Sequence, residues 1–187
     1  MDFPRARQLF YREVNQPDSS IDLAKAALYM ALEEYPNLDP EEYLEALDAM
    51  ADEVRDRLPA QNYPLRIIQT INRYLYEDLE FAGNDAEYYD PRNSYLNQVI
   101  DRRTGIPITL SLVYLEVAKR IDFPMVGIGM PGHFLIMPDF EDAGIFVDAF
   151  NKGEILFPED CQARLSQIYG EPMKLQPTFI APVSNKQ

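Results

Sequence analysis

Residues 102–148 read RRTGIPITLSLVYLEVAKRIDFPMVGIGMPGHFLIMPDFEDAGIFVD, and this stretch decides the fold. It opens on Gly105-Ile106-Pro107. That turn sets a proline at the first position of a helix, where its missing N–H has no intrahelical partner to lose. From residue 108 to 121 the side chains are apolar on most sides, with charge only at Glu116, Lys119 and Arg120. A helix apolar nearly all round is a buried helix. Three β-type runs follow, over residues 125–130, 133–137 and 145–150, each bounded by Gly, Pro or acidic turn residues. The one histidine, His133, opens the second run, and Asp148 lies inside the third.

Upstream, the spacing of apolar residues predicts four helices with short connections. The first covers residues 3–14, with Phe3, Ala6, Leu9, Phe10 and Val14 at helical spacing, and ends before Pro17. The second covers residues 21–34, with Ser19 or Ser20 as its cap, and Pro36 closes it. Asp39-Pro40-Glu41-Glu42 carries a cap, a proline at the first helical position and a Glu three residues after the cap. The helix it opens runs to about Leu58. Pro64 starts a fourth helix through Ile68, Ile71 and Leu75 to Leu79. Residues 81–93 hold Gly83, Asn84, Asp85, Asp90, Pro91 and Asn93, a loop crossing the surface, and a short helix over 94–102 leads into the central stretch. Downstream of Asp148 the sequence predicts a Lys152-Gly153 turn, a strand over 154–157 and a helix over 158–169. Residues 171–187 read as a loose tail or a linker.

The whole chain has 187 residues, 47% of them apolar, which suits one globular domain with an elaborated end. Its 17 basic and 31 acidic residues give a net charge of −14, and the pI is near 4.4. Such a surface repels nucleic acid and anionic headgroups, so neither is an expected partner. No run of about 18 apolar residues is present to span a membrane. A single cysteine, Cys161, allows no internal disulfide and fits a reducing, cytoplasmic setting. Residues 33–56 hold ten acids against one base, Arg55. The plain reading is a solvated helix face; the sharper one is a docking surface for a basic partner. Arg92, Arg102 and Arg103 bracket the entry to the central helix and either pair with that acidic surface or form a small cationic spot.

Thiol hydrolases of the papain type set the cysteine at the N-terminus of a buried helix, where the dipole and an imidazole stabilise the thiolate. The histidine comes from a following strand and a carboxylate on the next strand holds its ring. The order of helix, His133 and Asp148 has that form. Equally, His133 follows a Pro-Gly turn and satisfies a backbone group; spacing alone leaves both readings open. No metal site stands out: one His and one Cys build no zinc cage. Asp139, Glu141 and Asp142 lack the spaced oxygen ligands of a calcium loop. Gly127, Gly129 and Gly132 do not open a helix as a phosphate loop would. No cofactor is expected.

The runs DPRNSYLNQVIDRRTGIPITLSLVYLEVAKRI, PGHFLI and FVDAFNKGEIL resemble the bacterial transglutaminase-like proteins of the SirB type. The resemblance implies an α+β fold, an N-terminal helical region followed by a papain-like transglutaminase core with an antiparallel sheet packed on a buried helix. It divides the chain into a helical region over 1–82, the core over 83–180, and a tail or truncated linker over 181–187. Many members continue into tetratricopeptide-type repeats, so a truncation before such repeats is expected at Gln187. By position, His133 matches the transglutaminase histidine and Asp148 the acid that orients it.

The family's Gly-x-Cys at the helix start reads Gly105-Ile106-Pro107 here, which sets Pro107 where the thiol would be. Cys161 follows the Asp strand and reads as structural. Among nearby hydroxyls, Thr109 points away from the start of the helix and Ser111 lies a turn deeper. Thr104, before the helix, is a weak nucleophile candidate, since a hydroxyl ionises far less readily than a thiol. Asn93, Asn97, Arg102, Arg103 and Pro107 are candidates for lining the cleft, with Asn93 as readily a helix cap. The expectation is a non-catalytic regulatory or protein-interaction module that keeps His133 and Asp148 as a remnant pair. The alternative is a cysteine-less hydrolase or amide-transfer enzyme using that pair with an unconventional nucleophile. A third reading is a peptide pocket in the old substrate groove.

Overall fold

The computed structural model describes residues 4–60, 63–140 and 143–187. Phe3, Glu141 and Asp142, which the sequence reading drew on, lie outside them. The helices in chain order are α1 (Arg5–Val14), α2 (Leu23–Ala31), α3 (Pro40–Arg57), α4 (Pro64–Asn72), α5 (Leu96–Arg102), α6 (Pro107–Arg120) and α7 (Pro158–Tyr169). The strands are β1 (Ala82–Gly83), β2 (Thr104–Gly105), β3 (Met125–Ile128), β4 (Leu135–Pro138), β5 (Phe146–Asp148) and β6 (Glu154–Leu156). The fold is α+β: helices first, then an antiparallel sheet in the order β3-β4-β5-β6.

Helix α6 is the axis of the core. Leu110, Val113, Tyr114, Val117 and Ala118 are all but inaccessible to solvent, and α2, α3, α4 and α5 pack round the helix together with β3 and β4. Burial of each large apolar side chain there stabilises the fold by about 1.5–3 kcal/mol. The one buried acid of α6, Glu116, is paired with Arg120 a turn later, and Arg120 also reaches Asp48 of α3. Ile108, half exposed, is the residue that departs from the all-round apolar expectation. A single hydrophobic cluster runs from Leu28, Leu47 and Ile68 through Val113 to Ile136 and Val147, so the helical region and the sheet share one core.

A chain of polar bonds pins α6 to its neighbours. The Tyr114 hydroxyl lies 3.0 Å from Asn72 Oδ1 and 3.3 Å from the Ile68 carbonyl, and Asn72 Nδ2 donates to the Gly153 carbonyl at 2.7 Å. Gly153 has φ +71°, and a Cβ there would collide with the Asn72 carboxamide. Only glycine meets both demands.

Several elements differ from the sequence expectation. Helix α2 starts later than expected because Asp22, not Ser19 or Ser20, caps it by accepting from the Lys25 N–H at 3.0 Å. The serines sit in a separate 3-10 turn, Asp18–Ser20. The fourth helix does not continue as α to Leu79: after Asn72 it widens into a π turn, Arg73–Asp78. Tyr74, Leu75 and Tyr76 are all buried there. Three consecutive residues cannot share one α face, and the wider turn resolves the conflict. Strand β4 begins only at Leu135. The Pro131-Gly132 turn, with Gly132 at φ +75° and the His133 N–H bonded to the Met130 carbonyl, extends through His133. Asp148 is the last residue of β5 rather than an interior one.

The loose-tail reading of the C-terminal stretch is also corrected. Pro182 bridges to Ile128 on the free edge of β3, the Val183 N–H donates to the Gly127 carbonyl, and Asn185 and Lys186 bond Asp18. An unpaired strand edge attracts such cover.

Candidate functional site

The turn before β4, the end of β5 and the middle of α7 meet at one buried carboxylate. Asp148 is wholly inaccessible. Its Oδ2 lies 2.8 Å from His133 Nε2 and 2.8 Å from Asn151 Nδ2, and it also takes the Arg164 guanidinium. Its Oδ1 accepts the backbone N–H groups of Phe150 and Asn151, each at 3.1 Å. Arg164 continues to Glu154 at 2.5 Å. Burial favours the neutral acid, but the bonds from His133 and Asn151 outweigh it and hold the Asp148 carboxyl below its ordinary value. The His133 ring is nearly buried, its side chain 11% exposed, and Nδ1 has no partner among the described residues.

Phe150 connects this network to the entry of α6. Its ring stands edge-on to His133, centroids 6.4 Å apart, and to Tyr88 at 6.0 Å. It also covers Gly83, where a Cβ would come within 2.6 Å of the ring. Gly83 is paired in register with Gly105, two residues before Pro107, through the short parallel contact of β1 and β2. One aromatic ring therefore stands between the neighbourhood of His133 and the start of the buried helix.

At that start Pro107 is buried and opens α6. The Thr109 hydroxyl donates to the Asn93 carbonyl at 2.7 Å and accepts from the Ile106 N–H at 3.1 Å, closing the first turn. The Thr104 hydroxyl donates to the Arg102 carbonyl. Ser111 is buried, and its hydroxyl has no partner among the described residues. Cys161 is on α7, one turn before Arg164, inside an apolar cluster with Met130, Leu135 and Leu156. Burial pushes its thiol up to about 11.

The remaining candidates fall elsewhere. Asn93 is buried and its carboxamide is fully engaged: Nδ2 donates to the carbonyls of Glu87 and Tyr88, and Oδ1 accepts from Asn84. It caps no helix. Arg102 reaches the same cluster, 3.5 Å from Asn93 Oδ1 and 3.4 Å from Asp90, and Arg92 also pairs with Asp90. Arg103, in a left-handed conformation, donates to the Leu79 carbonyl. Asn97 faces a different pocket, between the α2–α3 connection and α5.

Arg164 and Asn151 are the members of the network that sequence reasoning missed. Arg164 is the one base of α7, and it stands beside the buried Cys161 and Leu165 at helical spacing, a cation at the margin of an apolar face. Asn151 stands three residues after Asp148, ahead of a Lys-Gly turn, where a carboxylate commonly bonds the backbone two or three residues on. Both signals were readable. Among the described residues no three His, Cys, Asp or Glu side chains cluster as a metal ion requires, and no helix is long and apolar enough to cross a membrane.

Comparison with known proteins adds the following. The family model described as the transglutaminase-like superfamily matches residues 41–187. A UPF0162 protein of Xylella fastidiosa is 40% identical over 149 residues, which are 79% of this chain and 53% of that protein. A UPF0162 protein of Pseudomonas aeruginosa is 31% identical over 162 residues, 87% of this chain and 58% of that protein. The F-box only protein 21 of Mus musculus is 39% identical over 111 residues, 54% of this chain and 18% of that protein. The chain thus spans about half the length of the bacterial relatives it matches. No solved structure matches it.

Proposed function

The chain belongs to the transglutaminase-like superfamily, and from that premise we propose that it is a non-catalytic member, a protein-interaction or regulatory module of the SirB type. Amide transfer on this fold needs a thiolate at the start of the buried helix. The observation that carries the proposal is the state of the one thiol. Cys161 lies in the apolar cluster on α7, protonated up to about pH 11, while α6 begins with Pro107.

The His133–Asp148 pair then acts as a staple. With Arg164 and Asn151 it ties the turn before β4, the end of β5 and α7 to one carboxylate. The F-box only relative supports the module reading, since the shared stretch is under a fifth of that longer protein. The acidic surface over residues 33–56 suits a basic protein or peptide partner. A reducing, cytoplasmic setting fits a lone buried cysteine.

A second reading has one observation in its favour. His133 Nδ1 has no partner among the described residues, so the ring is available as a base to a nucleophile brought by a partner or supplied by Thr104.

The test is an amide-transfer assay with a glutamine-bearing protein and hydroxylamine as the acceptor amine, read as hydroxamate and ammonia. It is run beside thiol labelling of the native and urea-unfolded chain. The expected result is no product above the His133→Ala control, and labelling of Cys161 only after unfolding. Product that disappears in a folded His133→Ala chain overturns the proposal in favour of the enzyme.

A further inference from the structure

Two tyrosines form the corner of a surface turn. The Asp90 N–H donates to the Glu87 carbonyl at 3.0 Å, which closes a turn with Tyr88 and Tyr89 at its two central positions. Such positions ordinarily take Gly, Pro, Asn, Asp or Ser. Among the described residues no large apolar side chain is as exposed as Tyr89, at 93%, and Tyr88 is 41% exposed. The two rings meet edge-on, centroids 5.4 Å apart, and Tyr88 stands edge-on to Phe150, the ring that borders His133. A ladder of aromatic rings thus leads from bulk solvent to the edge of the buried network.

The turn is held from beneath. The buried Asn93 donates through Nδ2 to the carbonyls of Glu87 and Tyr88, and its Oδ1 accepts from Asn84. Asn84 Oδ1 in turn takes the Glu87 N–H at 3.0 Å. Beyond the turn Asp90 is clamped by Arg92 and Arg102. A loop fixed in this way loses little freedom when a partner lands on it, and an exposed tyrosine on a rigid base is the anchor type of protein interfaces. Charge selects the partner. Residues 77–90 hold six acids and no base. Glu77, Asp78 and Asp90 are paired with arginines. Asp85 and Glu87, both exposed in the tyrosine loop, enter no ion pair among the described residues. The next base along the chain, Arg92, has its guanidinium turned onto Asp90. An open aromatic face beside free carboxylates favours a guanidinium, which lies flat on a ring and pairs with a carboxylate at once, over a compact, strongly hydrated ammonium.

We propose that the Tyr88–Tyr89 turn is the docking point for an arginine-bearing segment of a partner protein, with a guanidinium on the Tyr89 ring and the carboxylates of Asp85 and Glu87 beside it. The proposal rests on the interaction-module reading and fixes the point of contact, which the acids of α3 leave diffuse.

The test uses the whole chain and three capped peptides, Gly-X-Gly-X-Gly with X as arginine, lysine or citrulline, titrated by NMR so that each backbone amide reports. The arginine peptide is expected to shift the amides of residues 84–90, the lysine peptide to bind severalfold more weakly, and the neutral citrulline peptide not measurably. Tyr89 is almost wholly exposed, so its variants keep the packing of the fold. Tyr89→Phe retains the aromatic face and is expected to bind like the wild type, whereas Tyr89→Leu weakens the arginine peptide about fivefold. Asp85→Asn with Glu87→Gln weakens it severalfold and flattens its salt dependence. Shifts confined to α3, affinity that Tyr89→Leu leaves unchanged, or no binding of the arginine peptide each overturn the proposal and leave the module reading standing. Failure of the module reading shows separately, as hydroxamate formed by the wild type, and does not move these shifts.

Discussion

Asp148 and Asn97 are both polar and both buried, and their surroundings treat them oppositely. Asp148 receives His133, Asn151 through its side chain and backbone, the Phe150 N–H and Arg164. Asn97 Oδ1 receives nothing from the described residues. A satisfied buried network rigidifies and fixes a unique packing, whereas an unsatisfied group is a standing penalty. The place that resembles an active site thus has the character of a structural joint.

Breaking the satisfied side gives the largest effect. Asp148→Ala leaves Arg164, Asn151 and two backbone N–H groups without their acceptor, and the expected loss of unfolding free energy in urea is about 3–5 kcal/mol. Asp148→Asn keeps the shape and part of the bonding, with an expected loss of about 1–3 kcal/mol. A loss below about 0.5 kcal/mol for either variant would make the network ornamental and return the pair to catalysis.

Acid sharpens the same contrast. The Asp148 carboxyl lies below its ordinary value of 3.8 in the folded chain. Its contribution is therefore complete above that value and is lost as pH falls through the lower, folded value. The stability gap between the wild type and Asp148→Asn is expected to hold from pH 7 to about 4 and to narrow below it. A gap that stays constant into strong acid would mean that charge has no part in it.

On the unsatisfied side the expected effect is the smallest. Asn97→Leu removes an unbonded carbonyl and fills the same space with carbon. The unfolding free energy is expected to stay within about 1 kcal/mol of wild type, on the stabilising side. A loss of about 2 kcal/mol or more would show that Asn97 is bonded after all and that the two sites do not differ.

What the sequence makes legible here is local. Pro107 and the apolar run behind it declare α6, Asp39-Pro40 declares the start of α3, and Pro158 declares α7. Each of these depends on neighbours within one helical turn. The π turn after Asn72 depends instead on three adjacent side chains all finding the core, which only the assembled helices decide. For α2 the cap is Asp22 rather than either serine, and the residue before it, Ile21, is buried in the core. At the site, His133 and Asp148 are named by motif. Arg164 is legible as a cation at the margin of the apolar face of α7, but its partner, sixteen residues back, is decided only by how that helix packs on the sheet. Asn97 shows the limit most plainly: nothing in a sequence marks a hydrogen bond that is not made.

The clasp between Asp18 and the residues at 185 and 186 bears on the order of folding. It joins positions 167 and 168 residues apart. Closing a loop of that length from an open chain costs about 4–5 kcal/mol of entropy by the logarithmic law. Three exposed hydrogen bonds return about 0.5–1.5 kcal/mol each. The clasp therefore cannot nucleate the fold. It closes once α6 and the sheet have brought its ends together, and it is the first contact to open on the unfolding limb. Its strengthening would slow unfolding while leaving the folding rate untouched.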